Sequence, residues 1–168
     1  NEQGYIEKGY ENLFLQSNTF SDAAWSKNNT SVTSGQAGYD DSNDAWILDI
    51  DYTSGDGYLR QEKSISGVNT FSIYAKSGSA DGIYIVFAAG NYPNIKVDLT
   101  DGSLISTNGT IDTNIESVAN GWYRISLSIN QSLARVNIRI INGSGVNTTG
   151  SVYIQDAMLN QGLVAYPY

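Results

Sequence analysis

Two residue types are missing from this chain of 168 residues, and each absence removes whole classes of function. Without cysteine there is no disulfide framework, no thiolate zinc site and no cysteine nucleophile. Without histidine there is no Ser-His-Asp triad, no imidazole general base and almost none of the usual catalytic zinc, copper or iron arrangements. Stability must then come from packing, or from a hard, oxygen-ligated ion such as calcium. Basic residues are also scarce, 9 Lys and Arg against 17 Asp and Glu, for a formal charge of -8 and a pI near 4.2. Nucleic acid wants a basic stripe, and an anionic membrane wants a polybasic cluster; the scattered cations supply neither. Neither a signal peptide nor a long apolar run is visible, so membrane insertion is not expected. The chain opens Asn1-Glu2-Gln3-Gly4 without an initiator Met, which suggests a processed product or an excised piece of a larger protein.

What is present is neutral and polar. Only 15% of residues are charged, and 17 Gly and 12 Tyr stand among abundant Asn, Ser and Thr. Carbohydrate-facing and extracellular β proteins use such surfaces, as do many secreted sandwiches that bind no sugar. Apolar residues alternate in short runs separated by turn residues, and no stretch of length has helical periodicity. Strands are expected over residues 13–17, 30–33, 45–52, 58–65, 70–76, 82–88, 95–99, 104–105, 115–119, 122–129, 135–141 and 151–159. Leu13 and Leu15 should be buried in the first of them. Asn120-Gly121 supplies the positive φ angles of a tight turn, after which Tyr123, Ile125, Leu127 and Ile129 alternate with Trp122, Arg124, Ser126 and Ser128. Thr100-Asp101-Gly102-Ser103 marks another hairpin, and the only prolines, Pro93 and Pro167, fall in loop-like context. About ten short strands at this spacing predict an all-β, antiparallel β-sandwich. One domain over residues 12–168 is expected, with residues 1–11 as an N-terminal connection.

Several segments in succession resemble one family. NLFLQSNTFSDAAW (12–25), NTFSIYAKSG (69–78), VDLTDGSLIS (97–106), VANGWYRISLSI (118–129) and GSVYIQDAMLNQGLVAYPY (150–168) are similar, in order, to elements of carbohydrate-binding-module-like jelly rolls found in bacteriophage tail fibres and other virion proteins. The resemblance implies a jelly roll and a virion or extracellular location. At Gln155-Asp156-Ala157 the chain departs from the family's Trp-Gly-Ala. An acidic residue there resembles related xylan- and glucan-binding jelly rolls, in which a late-strand Asp helps hold structural calcium against the N-terminal strand. Asp156 is a calcium candidate on that resemblance.

Sugar recognition uses flat rings against pyranose C–H faces, with amide and guanidinium groups for the hydroxyls. Tyr74, Tyr84, Trp122, Arg124, Asn137 and Arg139 all fall on the polar parity of expected strands, as does Lys76. Were those faces to align, they would line a groove. Trp122, Arg124 and Lys76 are equally readable as fold residues whose stems cover a sheet. Tyr39, Tyr58 and Tyr92 sit in Gly-, Asp- and Asn-rich turns, where a rigid amphipathic ring serves recognition well. The acidic run 40–44, with Asp40 and Asp44 at its ends and Asp49, Asp51 and Asp56 nearby, could offer oxygens to calcium but lacks EF-hand spacing. No carboxylate pair stands out for glycoside hydrolysis.

The expectation is therefore a non-catalytic carbohydrate-binding or receptor-recognition module that requires no cofactor, with structural calcium and oligomer formation as open options, and that binds a polysaccharide or glycan as part of a larger virion or secreted protein. The alternatives are a structural spacer that binds only neighbouring chains, and, further off, a polysaccharide lyase or hydrolase. An open groove at Tyr84, Trp122 and Arg139 would separate the first from the second.

Overall fold

The computed structural model describes residues 11–168, so all of the expected N-terminal connection except Glu11 lies outside the described residues. In chain order the strands are β1 (Ser26–Asn28), β2 (Thr30–Gln36), β3 (Ala45–Ile50), β4 (Tyr58–Ile65), β5 (Val68–Ser77) and β6 (Gly82–Ala89). They continue as β7 (Asn94–Asp98), β8 (Leu104–Asn108), β9 (Asp112–Ser117), β10 (Tyr123–Asn130), β11 (Leu133–Ile141) and β12 (Gly150–Gln161). Among the described residues, helical backbone is confined to single 3-10 turns at Tyr52–Ser54 and Ala119–Gly121.

The strands form two six-stranded antiparallel sheets, ordered β1-β4-β11-β6-β7-β8 and β2-β3-β12-β5-β10-β9. From β3 to β6 the chain crosses between sheets at every strand, and from β10 to β12 it does so again. The inner eight, β3-β12-β5-β10 over β4-β11-β6-β7, are thus a jelly roll. β1 and β2 add an edge strand to one side of each sheet, and β8 and β9 to the other. Alternation decides what lies between the layers. Leu59, Ile83, Ile85, Ile95, Val136 and Ile138 from one sheet meet Leu48, Phe71, Ile73, Ile125, Leu127 and Ile154 from the other, all fully buried. Each such side chain contributes roughly 1.5–3 kcal/mol relative to exposure.

The Asn-Gly turn forms as expected, with Asn120 at φ 61° and Gly121 at φ 76°. The N-terminal segment does not. Residues 13–17 are irregular rather than a strand; Phe14 is buried, while Leu15 is 67% exposed. Gln16 turns the backbone to φ 48°, which no strand continues through. The Gln61 side chain, buried in the sandwich, takes the place of a partner strand: its Oε1 accepts from Leu15 N at 2.8 Å, and its Nε2 donates to Leu15 O at 2.9 Å. Phe14, Phe20 and Trp25 then close one end of the core, with Trp25 at 5.4 Å from Phe14 and 5.0 Å from Phe20 between ring centres. β1 was not expected, having no apolar alternation in Ser26–Asn28, and β3 stops at Ile50, leaving Tyr52 to the 3-10 turn.

β12 carries a bulge. Gln155 pairs with Tyr74 and Met158 with Ser72, so Asp156 and Ala157 together face the space of Ile73. Asp156 lies at φ 50°, and the extra residue lets Val152 and Ile154 point inward before the bulge and Ala157 and Leu159 after it. The outcome is two polar faces on opposite sides of the molecule.

Candidate functional site

The outer face of β4-β11-β6-β7 is built in cross-strand rows. Arg139 lies beside Tyr84 and Tyr84 beside Lys96; one row along, Arg60 lies beside Asn137, Asn137 beside Val86 and Val86 beside Asn94. Alternation puts every one of these side chains on the outer face of the sheet, with Val86 and Asn137 buried beneath their neighbours there. They form a groove of about 340 Å³ whose walls include Tyr58, Tyr84, Tyr92, Arg135, Asn137 and Arg139. Of the residues singled out for ligand binding, the fold brings Tyr58, Tyr84, Tyr92, Asn137 and Arg139 to this one place.

The cations in it are positioned by rings and by one acid. Arg60 and Arg139 stand 4.5 and 5.8 Å from the Tyr58 ring centre, and Lys96 4.8 Å from that of Tyr84. Lys96 also donates to Gly145 O at 2.7 Å. Arg139 forms a two-pronged ion pair with Asp56 and donates to Gly57 O at 3.2 Å. Hydrogen bonds from Arg139 hold the Asp56 carboxyl below the ordinary carboxylate range. Tyr92 stands on the rim, 64% exposed, at φ 51° immediately before Pro93. A helical-type backbone is disfavoured before proline, and its left-handed form more so for a bulky residue. Strain of this kind, typically 1–3 kcal/mol, persists where the surroundings enforce it, often at binding sites.

Tyr74 and Arg124 lie on the outer face of the opposite sheet, where Tyr39 and Trp122 join them from connecting turns, and there they serve one another. Tyr39 stacks on Tyr74 at 3.6 Å between ring centres and 6° between planes. Trp122 is 1% exposed, edge-on to Tyr39 and Tyr153, and has no free ring face for a sugar. Arg124 lies 5.7 Å from the Tyr74 ring and donates to the backbone oxygens of Ala165 and Tyr166. The C-terminal segment crosses this face, held also by Thr70 Oγ1 donating to Gly162 O at 2.6 Å and Asn160 Nδ2 to Val164 O at 2.8 Å.

The calcium candidates gather beside that covered face without making an ion site. Gln155 Oε1 accepts from Tyr39 N at 3.2 Å, which turns its NH2 toward Asp40 Oδ1 (3.2 Å) and Asp44 Oδ1 (2.7 Å). Amide protons point where a cation would have to stand. Asp156 Oδ2 accepts from the Tyr39 hydroxyl at 3.0 Å. Burial pushes the Asp156 carboxyl up to about 6; the Tyr39 hydrogen bond opposes this, and the charges of Asp44 and Asp40 add to it. Among the described residues, no three Asp, Glu, His or Cys side chains converge as metal ligands. Fastening the N-terminal segment to the late strand, the job a calcium ion would do, is shared by two backbone bonds, Leu13 N to Leu159 O at 2.7 Å and Ala157 N to Ser17 O at 3.1 Å, and by side-chain amides. Asn12 Nδ2 donates to Ala157 O, Asn12 Oδ1 accepts from Leu159 N, and Asn18 Oδ1 accepts from Asp156 N, each at 3.1 Å. These residues do not fit a calcium ion.

Arg60, Arg135 and Asp56 line the groove but were not singled out as ligand-binding residues. The signal was there for the two arginines: Arg60 lies two residues after Tyr58, and Arg135 two before Asn137, on the same parity. Asp56 was seen only as a member of an acidic stretch, because nothing in the sequence pairs it with Arg139.

No protein-family model matches the chain, and no curated protein matches it in sequence. Among solved structures it is similar to the enzymatically active domain of tailspike protein 4 of bacteriophage CBA120, with TM-score 0.51, 13% identity and 86% of this chain aligned to 20% of that one. It also overlaps the CBM22-1 and GH10 modules of a Clostridium thermocellum endo-1,4-beta-D-xylanase solved with xylohexaose, at TM-score 0.49 and 12% identity over 95% of this chain and 29% of that one. A candidate sugar-binding protein from Bacteroides thetaiotaomicron overlaps at TM-score 0.47 and 15% identity, over 87% of this chain and 92% of that one. At such identities the likeness is one of fold. The chain spans a fifth of the tailspike chain, and what it shares with it is a β-sandwich.

Proposed function

We propose that this domain is a non-catalytic carbohydrate-recognition module of a larger virion or extracellular protein, and that it binds a polysaccharide or glycan in the β4-β11-β6-β7 groove. One observation carries this. Tyr58, Tyr84 and Tyr92 surround Asn137 and the arginines in an open groove, whereas on the other sheet the C-terminal segment crosses the face and the cleft left beside it, between Arg124 and residues 163–165, has no aromatic ring in its walls. Rings for sugar faces and amide or guanidinium heads for hydroxyls are the two components a glycan site needs. Catalysis is not part of the proposal: Asp56 is the carboxylate among the described lining residues, and Arg139 occupies both its oxygens, whereas glycoside hydrolysis uses a pair. The virion or extracellular setting rests on the sequence resemblance. Single-site affinity would be modest, and display on an oligomeric parent would raise it.

The test is a glycan array probed with the wild-type domain, Tyr84→Ala and Tyr92→Gly. Binding should fall at least about tenfold in each variant, ~1.4 kcal/mol. Tyr92→Gly should at the same time melt higher, since glycine accepts φ 51° without strain. Unchanged binding in both variants would remove the groove from consideration. A second possibility is a neighbour-binding spacer, favoured by Leu104 on edge strand β8 and Ile111 beside edge strand β9, 48% and 53% exposed. Silence on the array, with an oligomer in light scattering that Leu104→Ser disperses, would select it.

A further inference from the structure

The charge of the groove is the reverse of the charge of the molecule. The whole chain has 17 acidic and 9 basic residues, yet the described groove lining holds Arg60, Arg135 and Arg139 against Asp56 alone. Lys96 lies just outside, against Tyr84. Two of these cations are already committed. Arg139 is neutralised by Asp56, and Arg60 Nε lies 3.3 Å from Glu62 Oε1. Arg135 is not. Glu62 is its cross-strand partner, but the Glu62 carboxylate goes to Arg60 instead. Among the described residues Arg135 is the groove arginine without an ion pair. Its buried Nε donates to nothing, a condition it shares with Arg60 Nε, whose contact with Glu62 is an ion pair without a hydrogen bond. A guanidinium half-buried on a groove wall with an unused buried donor is an anion receptor in waiting, because a desolvated donor without an acceptor is costly.

Building on the groove as a glycan site, we infer that its ligand is an acidic polysaccharide, with a sugar carboxylate received by Arg135 while the rings of Tyr84 and Tyr92, on other walls of the same groove, hold sugar faces. The planar fork of arginine matches a carboxylate through two parallel N–H donors, and a lysine cannot reproduce that match. An acidic body with one cationic groove also steers an anionic polymer to that groove and away from the remaining surface. The charge distribution therefore selects the substrate class, and the rings select the sugar.

The experiment is affinity electrophoresis of the domain through gels carrying a polyuronate panel (polygalacturonate, alginate, glucuronan), the same polymers after carboxyl reduction, neutral xylan and galactomannan, and dextran sulfate. Wild type is compared with Arg135→Gln and Arg135→Lys, with thermal unfolding to confirm that both variants fold. Retardation by a polyuronate, at least tenfold weaker after carboxyl reduction and in Arg135→Gln, and only partly restored in Arg135→Lys, is the expected result. Equal retardation by the reduced or neutral polymers would overturn the acidic-ligand assignment and leave a neutral-glycan groove, and undiminished binding by Arg135→Gln would overturn Arg135 as the carboxylate's receptor. Equal retardation by dextran sulfate would reduce the effect to general charge attraction, overturning the carboxylate assignment. Retardation by no polymer at all would overturn the glycan groove itself.

Discussion

Asp156 combines two uncommon conditions, a left-handed backbone at φ 50° and a carboxyl that burial has pushed up to about 6. The first explains why a small polar residue stands at the bulge, since Asp and Asn tolerate this region better than other side chains with a Cβ. The second makes the residue a cost rather than a support. Its folded-state value lies above the ordinary 3.8, so the folded form holds its proton more tightly than the unfolded form. The cost is absent below about pH 3.8, grows as pH rises through the interval to about 6, and is fully present above it. Asp156→Asn keeps the backbone preference and an oxygen to accept from Tyr39, but carries no charge. It should stabilise the domain on the order of 1 kcal/mol at pH 7.5 and have little effect at pH 3.5, followed by thermal melts at both values. An equal gain at the two pH values would show that charge burial is not the cause. The sequence marked this residue as unusual without revealing why, because neither a backbone angle nor the neighbouring Tyr39 can be read from a strand pattern.

At the scale of elements, legibility followed alternation. β4 was placed to the residue because Tyr58–Ile65 follows a Gly-Asp-Gly turn and its leading residues alternate cleanly in burial. Residues 13–17 have apolar residues in strand phase, yet between the backbone bonds to β12 at their two ends (Leu13 N to Leu159 O, Ala157 N to Ser17 O) their backbone is served by side chains, Gln61 on one side and Asn12 on the other. Single-sequence patterns detect a partner strand and cannot detect a partner amide 46 residues away. Asn12 closes this junction: its side chain donates to Ala157 O and accepts from Phe14 N and Leu159 N, each at 3.1 Å. Asn12→Ala would leave these partly buried backbone groups without partners and loosen the aromatic plug of Phe14, Phe20 and Trp25. A loss of about 2 kcal/mol is expected in urea unfolding, with the slope of the transition unchanged. A loss below a few tenths would mean that water replaces the amide and that the plug holds itself. The same junction is where a bound calcium was expected, so a chelator should not reproduce the effect of this substitution.

At the scale of the molecule, the outward parity of the strands was legible and their division between two sheets was not. Tyr74 and Arg124 pair across β5 and β10, while Tyr84 and Arg139 pair across β6 and β11; period-two alternation assigns all four outward and is silent on which outside. Sheet membership follows from crossovers in a jelly roll, and crossovers leave no trace in side-chain periodicity. The two faces consequently have opposite uses that a matched pair of substitutions separates. Tyr74→Ala removes the ring stacked on Tyr39 and the surface beneath Arg124, on a face the chain covers with its own C-terminal segment. It should cost about 1–2 kcal/mol of stability, the value of an aromatic pair and its buried area, and leave glycan binding at the wild-type level. Tyr84→Ala, on a half-exposed groove wall, should cost little stability and most of the binding. Chemical denaturation and glycan affinity measured on the same two preparations decide the matter. A crossed outcome, with binding lost in Tyr74→Ala and kept in Tyr84→Ala, would mean that the C-terminal segment lifts to admit the ligand and that recognition belongs to the β12-β5-β10 face.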